Sequence, residues 1–250
     1  MAMWAPDDQM IEVWDRHEGK HLCSVQATSP HVCFAPKRQL LTTVSGAFPT
    51  VRAFNNQTGT VWQLPEGKPK WKITNIWHIS AISPDERLLV ADEVTAWKLW
   101  EIGEETLKPL LTFGRKANPS YEKSAAFSPD GRLLATGEKG GLIRLWAMPS
   151  AREVGILSGH TRDQTALAFS PDGRTLASMC DDRTVRLWNV ATRRELQRFQ
   201  APKEDRADWG LAFSPDGLAL AARRSDEDGP ITWVWHAPSL AEIAVAEAKH

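Results

Sequence analysis

The sequence predicts an all-β protein: a β-propeller of four-stranded antiparallel blades, with five complete blades plus a partial N-terminal blade. Two short motifs alternate along the 250 residues, and each recurs about every 40 to 48 residues. The composition fits a recurring unit, because 12 tryptophans accompany a single tyrosine and 16 glycines and 16 prolines are spread along the chain. A period of this size with about four short β-prone segments is typical of propeller blades.

The first motif predicts a tight turn between the first and second strands of a blade. It reads FAPKRQLLT at 34–42, ISPDERLLV at 82–90, FSPDGRLLA at 127–135, FSPDGRTLA at 169–177 and FSPDGLALA at 213–221. In the SPDG form Pro171 fixes φ, Asp172 tolerates the bridge region, and Gly173 adopts a positive φ without steric cost.

The second motif predicts the third strand of a blade, because it begins with apolar or β-branched residues and ends on an aromatic side chain. It reads IEVWD at 11–15, VRAFN at 51–55, WKLWE at 97–101, IRLWA at 143–147, VRLWN at 185–189 and TWVWH at 232–236. Its fourth position is Trp14, Phe54, Trp100, Trp146, Trp188 and Trp235. We expect the other tryptophans, Trp62 among them, to pack between blades or to fill gaps.

The two series divide a single domain, 1–250, into blades whose strands we label a to d. The complete blades are predicted at 31–64, 77–112, 122–157, 164–199 and 208–246. Residues 1–26 form the partial blade, in which 9–15 match strand c, 20–26 match strand d and 2–5 are at most a short piece of strand b. An open strand edge promotes association. We therefore expect an upstream segment or another chain to complete this blade, unless a small ring tolerates an irregular seam.

The segment GHTRDQTALAFSPDGRTLASMCDDRTVRLWNV at 159–190 resembles the WD-repeat family. The other units resemble the degenerate repeats of bacterial members. The resemblance implies a structural tetrad of His160, Ser178, Asp182 and Trp188, whose side chains hydrogen-bond in a row within one blade.

The tetrad is incomplete in the other units. The third complete blade has Thr136 and Trp146 but Gly140 at the acidic position, and the fifth has Ser225 and Trp235 but Gly229. The second has Val90 and Val94 at the two polar positions, and the first has Phe54 in place of tryptophan. We therefore expect the blade at 164–199 to be the stiffest.

Two constellations resemble reactive sites. His160, Ser178 and Asp182 are the residue types of a catalytic triad, but no GxSxG elbow is present, so we expect no catalytic residues. His17, His21 and Cys23 could bind a metal, but they fall on a turn and an outer strand, so we expect no metal site. The sequence contains no GxGxxG or GxxxxGK phosphate loop, and we expect no cofactor.

Charge and cysteine content limit the partners and the compartment. Lys and Arg number 30 and Asp and Glu 31, so no net field attracts nucleic acid or a membrane, and we expect neither as a partner. Arg193, Arg194 and Arg198 are interpreted as solvated edge charge. Three cysteines without a CxxC pair, and no signal peptide, favour a cytoplasmic location.

These observations predict a non-enzymatic scaffold that presents loops of a rigid propeller to a protein or peptide partner. In similar proteins the d–a and b–c loops form the binding face. Here they contain Trp77, His78, Tyr121, Glu138, Lys139, Arg162, Asp163, Asp181, Asp208 and Trp209. The alternatives are a C-terminal sensor or regulatory propeller of a longer multidomain effector and a propeller hydrolase. The hydrolase would need several channel ligands, for which only His78 and Asp208 are candidates.

Overall fold

The computed structural model describes residues 2–5, 9–15, 17–28, 32–35, 37–45, 57–93, 96–115, 124–138, 140–162, 164–200, 208–226 and 229–236. Within these ranges the chain is all β, as predicted, and forms six antiparallel sheets in which consecutive strands are neighbours. The same ranges contain no helix that could cross a membrane. The chain divides into two compact units, 1–121 with 149–151 and 122–148 with 152–250.

The first unit contains three sheets. The first comprises β1 (Ala2–Ala5), β2 (Met10–Trp14) and β3 (His21–Gln26). The second comprises β4 (Cys33–Ala35), β5 (Leu40–Ser45), β6 (Thr58–Gln63) and β7 (Lys68–Thr74). The third comprises β8 (His78–Ile82), β9 (Leu88–Asp92), β10 (Ala96–Ile102) and β11 (Leu107–Arg115).

The second unit contains the other three sheets. The fourth comprises β12 (Ala125–Phe127), β13 (Leu133–Gly137), β14 (Ile143–Ala147) and β15 (Arg152–Leu157). The fifth comprises β16 (Gln164–Phe169), β17 (Thr175–Cys180), β18 (Thr184–Asn189) and β19 (Glu195–Gln200). The sixth comprises β20 (Asp208–Phe213), β21 (Ala219–Asp226) and β22 (Gly229–His236), and the fourth strand predicted for it lies outside the described residues.

The third strand of the second sheet differs from the prediction. Residues 51–55, including Phe54, lie outside the described residues, whereas the strand that pairs with β5 is β6 and carries Trp62. Trp62 pairs with Leu41 as Trp188 pairs with Leu176 in the fifth sheet. The chain between β5 and β6 is longer than its counterparts, so a fixed spacing assigned the wrong aromatic residue to this position.

Five of the sheets share an irregularity at the tryptophan of the third strand. The pairing with the fourth strand shifts register at Val13/Trp14, Val61/Trp62, Leu99/Trp100, Leu145/Trp146 and Leu187/Trp188. Such a bulge places two residues opposite one and increases the local twist. The shift at Val61/Trp62 is independent evidence that Trp62 occupies the repeat position.

The SPDG turn has the geometry that its residues predict. Gly173 has a φ of 71°, and Ser170 Oγ donates to Asp172 Oδ1 at 2.6 Å while it accepts from Thr175 N at 3.0 Å. The hydrogen bond from Ser170 holds the pKa of Asp172 below its ordinary value. The same Ser–Asp bond closes the turns at Ser83, Ser128 and Ser214.

Neighbouring sheets of a unit pack through apolar clusters and also through these turns. Leu41 packs with Ile11 and Val13 between the first and second sheets, and Trp188 packs with Leu145 between the fourth and fifth. In the second unit, a Cβ on Gly173 would lie 3.6 Å from Pro129 Cδ, so each turn contacts the turn before it. The residue with positive φ is the contact point.

In the first unit the same turn position is occupied by Glu86, which has a φ of 59° and is only 4% exposed. Its two carboxylate oxygens accept the backbone N–H groups of Lys37 and Arg38, at 2.9 and 2.8 Å, from the turn of the second sheet. That turn lacks the Ser–Asp pair of the SPDG form. Glu86 therefore supplies acceptors that the preceding turn does not provide for itself.

Replacing Glu86 with glycine separates backbone strain from this inter-sheet bonding. Glycine would remove the backbone strain of the positive φ, which would stabilise the fold by about 1 kcal/mol. It would also remove the charged acceptor of two part-buried backbone N–H groups, at about 1.5–3 kcal/mol each. We therefore expect Glu86→Gly to lower the free energy of unfolding, measured by urea denaturation, by about 2–5 kcal/mol. A stabilised variant would show that Glu86 only tolerates a glycine position.

Candidate functional site

The tetrad residues form a continuous hydrogen-bonded row in the fifth sheet. Trp188 Nε1 donates to Ser178 Oγ at 2.7 Å, and Ser178 Oγ lies 2.8 Å from His160 Nε2. His160 Nδ1 lies 2.9 Å from Asp182 Oδ2. The row connects the segment before β16 to β17, to the β17–β18 turn and to β18.

The buried side chains of the row each have a hydrogen-bond partner within it. The Trp188 indole can only donate, so Ser178 Oγ accepts from it, and the same hydroxyl contacts His160 Nε2. The other ring nitrogen of His160 faces the Asp182 carboxylate. Burial raises the pKa of Asp182, but hydrogen bonds from His160 and Thr184 outweigh burial and hold that pKa well below its ordinary value. Every buried polar group of the row is satisfied.

The row continues through residues that the spacing rules do not identify. Thr184 Oγ1 donates to Asp182 Oδ1 at 2.6 Å. Arg186 is buried and lies 3.5 Å from Asp182 Oδ2 through Nη2, while its Nη1 donates to Glu195 Oε2 at 2.7 Å. Two carboxylates thus compensate one buried guanidinium, which would be costly if unpaired.

The fourth sheet repeats the outer part of this network. Arg144 Nη1 donates to Glu153 Oε2 at 2.6 Å, and Arg144 Nε donates to Glu138 Oε1 at 2.7 Å. Arg144 and Arg186 both precede the repeat tryptophan by two positions, and Glu153 and Glu195 both follow their arginine by nine. This recurrence was the sequence signal that could have revealed the pairs.

A catalytic use of the triad residues conflicts with their burial. Ser178 is 0% exposed and His160 is 5% exposed, and the Ser178 oxygen already accepts the Trp188 indole N–H. A substrate carbonyl cannot reach this hydroxyl in the described conformation. The arrangement therefore serves to connect strands.

His160, Cys180 and Asp182 also place one potential metal-ligand atom each within 4.8 Å of one another. Zinc would require a thiolate, but burial raises the pKa of the Cys180 thiol to about 12, and Cys180 Sγ donates to Arg162 O at 3.1 Å. The Arg186 guanidinium lies beside the Asp182 carboxylate and would repel a cation. These donors fit a hydrogen-bonded network better than a metal site.

The residues HEGKHLC do not act together as ligands in the described geometry. His21 Nε2 contacts Glu12 Oε2 at 2.5 Å and lies 3.2 Å from Ser24 Oγ. Burial raises the pKa of the Cys23 thiol, which disfavours the thiolate. His17 uses its backbone N–H to bond Asp15 Oδ1 at 2.7 Å.

Other sheets keep only the inner pair of the tetrad. Trp146 Nε1 donates to Thr136 Oγ1, and Trp62 Nε1 donates to Thr43 Oγ1, both at 2.8 Å. In the third sheet Trp100 pairs with Leu89 as Trp188 pairs with Leu176, so Ala91 and not Val90 occupies the position of the hydroxyl residue. The buried Trp100 Nε1 has no acceptor among the described residues.

In the sixth sheet Trp235 pairs with Leu220, so Ala222 occupies that position, whereas Ser225 pairs with Pro230 and Gly229 with Asp226. A fixed spacing of ten residues therefore assigned Val90 and Ser225 wrongly. Trp235 stacks on Phe199, Gly140 is exposed, and Val94 lies outside the described residues.

The expected binding face is represented only in part. Trp77 is 5% exposed, so its indole is not available at the surface, contrary to the role expected from its loop position. His78 and Glu138 are half-buried, and Glu138 bonds Arg144. Arg162 and Asp181 are exposed and flank the tetrad. Tyr121, Lys139 and Asp163 lie outside the described residues, as do the side chains of Asp208 and Trp209.

Comparisons with known proteins match the repeat units. The family model described as "WD domain, G-beta repeat" matches residues 116–147 and 151–189. Residues of this chain are 41% identical over 62 positions to the general transcriptional corepressor TUP1 of Saccharomyces cerevisiae, covering 24% of this chain and 9% of that protein.

Two further relatives extend this similarity. An uncharacterized WD repeat-containing protein of Nostoc is 46% identical over 37 residues, which cover 15% of this chain and 2% of that protein. Pre-mRNA-processing factor 19 of Oryza sativa is 24% identical over 170 residues, covering 64% of this chain and 30% of that protein. The chain thus spans less than a third of the length of each of these relatives.

Truncating Trp188 tests the contribution of the tetrad to stability. Trp188→Ala removes a fully buried indole and leaves Ser178 without its donor, so we expect the free energy of unfolding to fall by about 3–5 kcal/mol. Urea denaturation measures the change. A loss below about 1 kcal/mol would contradict the assignment.

Giving Trp100 an acceptor tests the same interaction in the opposite direction. Ala91→Ser adds one oxygen and places a hydroxyl at the position that Ser178 occupies in the fifth sheet. We expect a gain of about 0.5–1.5 kcal/mol in the free energy of unfolding. Val90→Thr is the control, because it buries a hydroxyl on the opposite face of β9, and it should be destabilising. Destabilisation by Ala91→Ser as well would show that Trp100 Nε1 does not donate to this hydroxyl.

Proposed function

This chain carries WD repeats, and on that premise we propose that it is a non-enzymatic scaffold that binds a protein or peptide partner. The binding surface is the pair of loops beside the tetrad, 158–162 and 181–183. Arg162 and Asp181 are exposed there. Binding residues are commonly found on loops that a rigid framework positions.

Hydrogen bonds with Asp182 and Cys180 fix the backbone of the loops beside the tetrad, which supports this proposal. Asp182 Oδ2 accepts the backbone N–H of Thr161 at 3.1 Å, and Cys180 Sγ donates to Arg162 O at 3.1 Å. The network therefore holds the loop 158–162 through its backbone, while the Arg162 and Asp181 side chains are exposed to solvent. A preordered surface loses less entropy on binding.

The comparisons support an interaction role in general terms. The relatives are WD-repeat proteins that include a general transcriptional corepressor and a pre-mRNA-processing factor. The buried position of Ser178 supports the non-enzymatic part of the proposal. We place the protein in the cytoplasm, which fits its three free cysteines.

A second candidate is a regulatory module whose first sheet is completed by an upstream segment or by another chain. Among the described strands β1 pairs with β2 alone, so one backbone edge of Ala2–Ala5 has no described partner. Such an edge can accept an additional strand.

Charge reversal at the loops tests the scaffold function. Arg162→Glu with Asp181→Lys keeps the net charge but inverts the surface, and Lys108→Glu with Glu101→Lys makes the same exchange on β10 and β11. We expect affinity capture with mass spectrometry to recover a stoichiometric partner with the wild type and the control pair, and at least tenfold less with the loop pair. Equal recovery with both pairs, or turnover of an ester panel by the wild type, would contradict the proposal.

A further inference from the structure

The outer strands of the fourth and fifth sheets bring several arginines to one seam. Leu145 pairs with Gly155 and Ala147 with Arg152, and residues two apart on a strand share a face. Arg152 and Gly155 therefore share the face of Leu145, which packs with Trp188 of the fifth sheet. This face of the outer strand β15 is directed at the fifth sheet.

The fifth sheet presents its own arginines to the same seam. Trp188 pairs with Glu195 and Arg186 with Arg198, so Glu195 and Arg198 share the face that is directed at the fourth sheet. Arg193 lies directly over Gly155, because a Cβ on Gly155 would come within 2.4 Å of Arg193 Nε and 2.9 Å of Cζ. The arginine seam is formed by Arg152, Gly155, Arg193 and Arg198.

The acidic residues near the seam are already engaged. Glu195 accepts from Arg186 at 2.7 Å and from Arg198 at 3.1 Å, and Glu153 accepts from Arg144. Arg152, Arg193 and Arg194 have no acidic partner within the part of the chain that the structure describes. Arg144 and Arg186 thus neutralise the nearby carboxylates, and the positive charge of Arg152 and Arg193 is not balanced.

We propose that the arginine seam binds an acidic segment of a partner protein, whose Asp and Glu carboxylates bond to Arg152 and Arg193. The planar fork of a guanidinium matches a carboxylate. Leu196 is 54% exposed at the bulge of β19, next to Glu195, and offers an apolar contact to such a segment. Arg193, Arg194 and Arg198 are exposed, as expected for edge charge, and the proposal gives part of this charge a partner.

Charge complementarity and size favour a peptide over nucleic acid. Nucleic-acid sites use a broad basic face and aromatic platforms for bases. The seam is a narrow strip between two outer strands, and the exposed apolar group beside it is the aliphatic Leu196. The site is separate from the loops at Arg162 and Asp181, so it can fail without affecting the proposed scaffold function.

Gly155 provides a test that changes no charge. Its φ lies outside the left-handed region, so alanine is compatible with the backbone there. The added Cβ would displace the flexible Arg193 side chain from the seam. Arg193→Gln removes the charge itself. Lys72→Gln is the control, because it also removes one exposed positive charge from an outer strand, β7, and lies in neither the seam nor the loops beside the tetrad.

The experiment measures binding of the full chain to a short fluorescein-labelled Glu/Leu peptide by fluorescence anisotropy, with the Gln/Leu peptide as the uncharged comparison. We expect the acidic peptide alone to bind, and Gly155→Ala and Arg193→Gln each to weaken it about tenfold. Lys72→Gln should leave binding unchanged. Unchanged binding by Gly155→Ala, equal weakening by Lys72→Gln, or tighter binding of a single-stranded oligonucleotide or anionic phospholipid vesicles would overturn the proposal.

Discussion

The hydrogen bond from the tryptophan of a third strand to a hydroxyl on the second strand is the interaction on which the rest of this structure depends. In the fifth sheet, Ser178 accepts a hydrogen bond from the Trp188 indole and also bonds to His160, which in turn bonds to Asp182. Asp182 then anchors the loop at Thr161 and faces Arg186. Because Trp188, Ser178, His160 and Arg186 are buried, their polar groups depend on these bonds. The position of the exposed loops follows from this chain of buried contacts.

The sequence predicted the features that depend on short-range spacing. The all-β class and the SPDG turn follow from local patterns whose members are close along the chain, and the residues of the tetrad row follow from the resemblance to the WD-repeat family. Features that depend on cross-strand register were missed. A long connection before β6 puts Trp62 at the repeat position that the spacing had assigned to Phe54. The Arg186–Glu195 pair joins two neighbouring strands at a bulge. Glu86 bonds a turn 48 residues away, which no local pattern reveals.

The exposed surfaces depend on which side chains the buried contacts already use. Trp77 was expected at a binding face because it precedes a first strand, yet it is buried, since aromatic side chains fill space between sheets as readily as they meet partners. By contrast, Arg162 and Asp181 are exposed, and the loop at Arg162 is held through its backbone. The arginine seam stays positive because Glu153 and Glu195 are committed to Arg144 and Arg186.

A double-mutant cycle between Ser178→Ala and Trp188→Phe tests the central interaction most directly, because Trp188→Phe removes the indole N–H and keeps an aromatic ring. If the bond organises the fifth sheet, urea denaturation of the wild type, the two single variants and the double variant will give a coupling free energy of about 1 kcal/mol or more. A coupling near zero would contradict the account, since the two side chains would then contribute to stability only through independent packing.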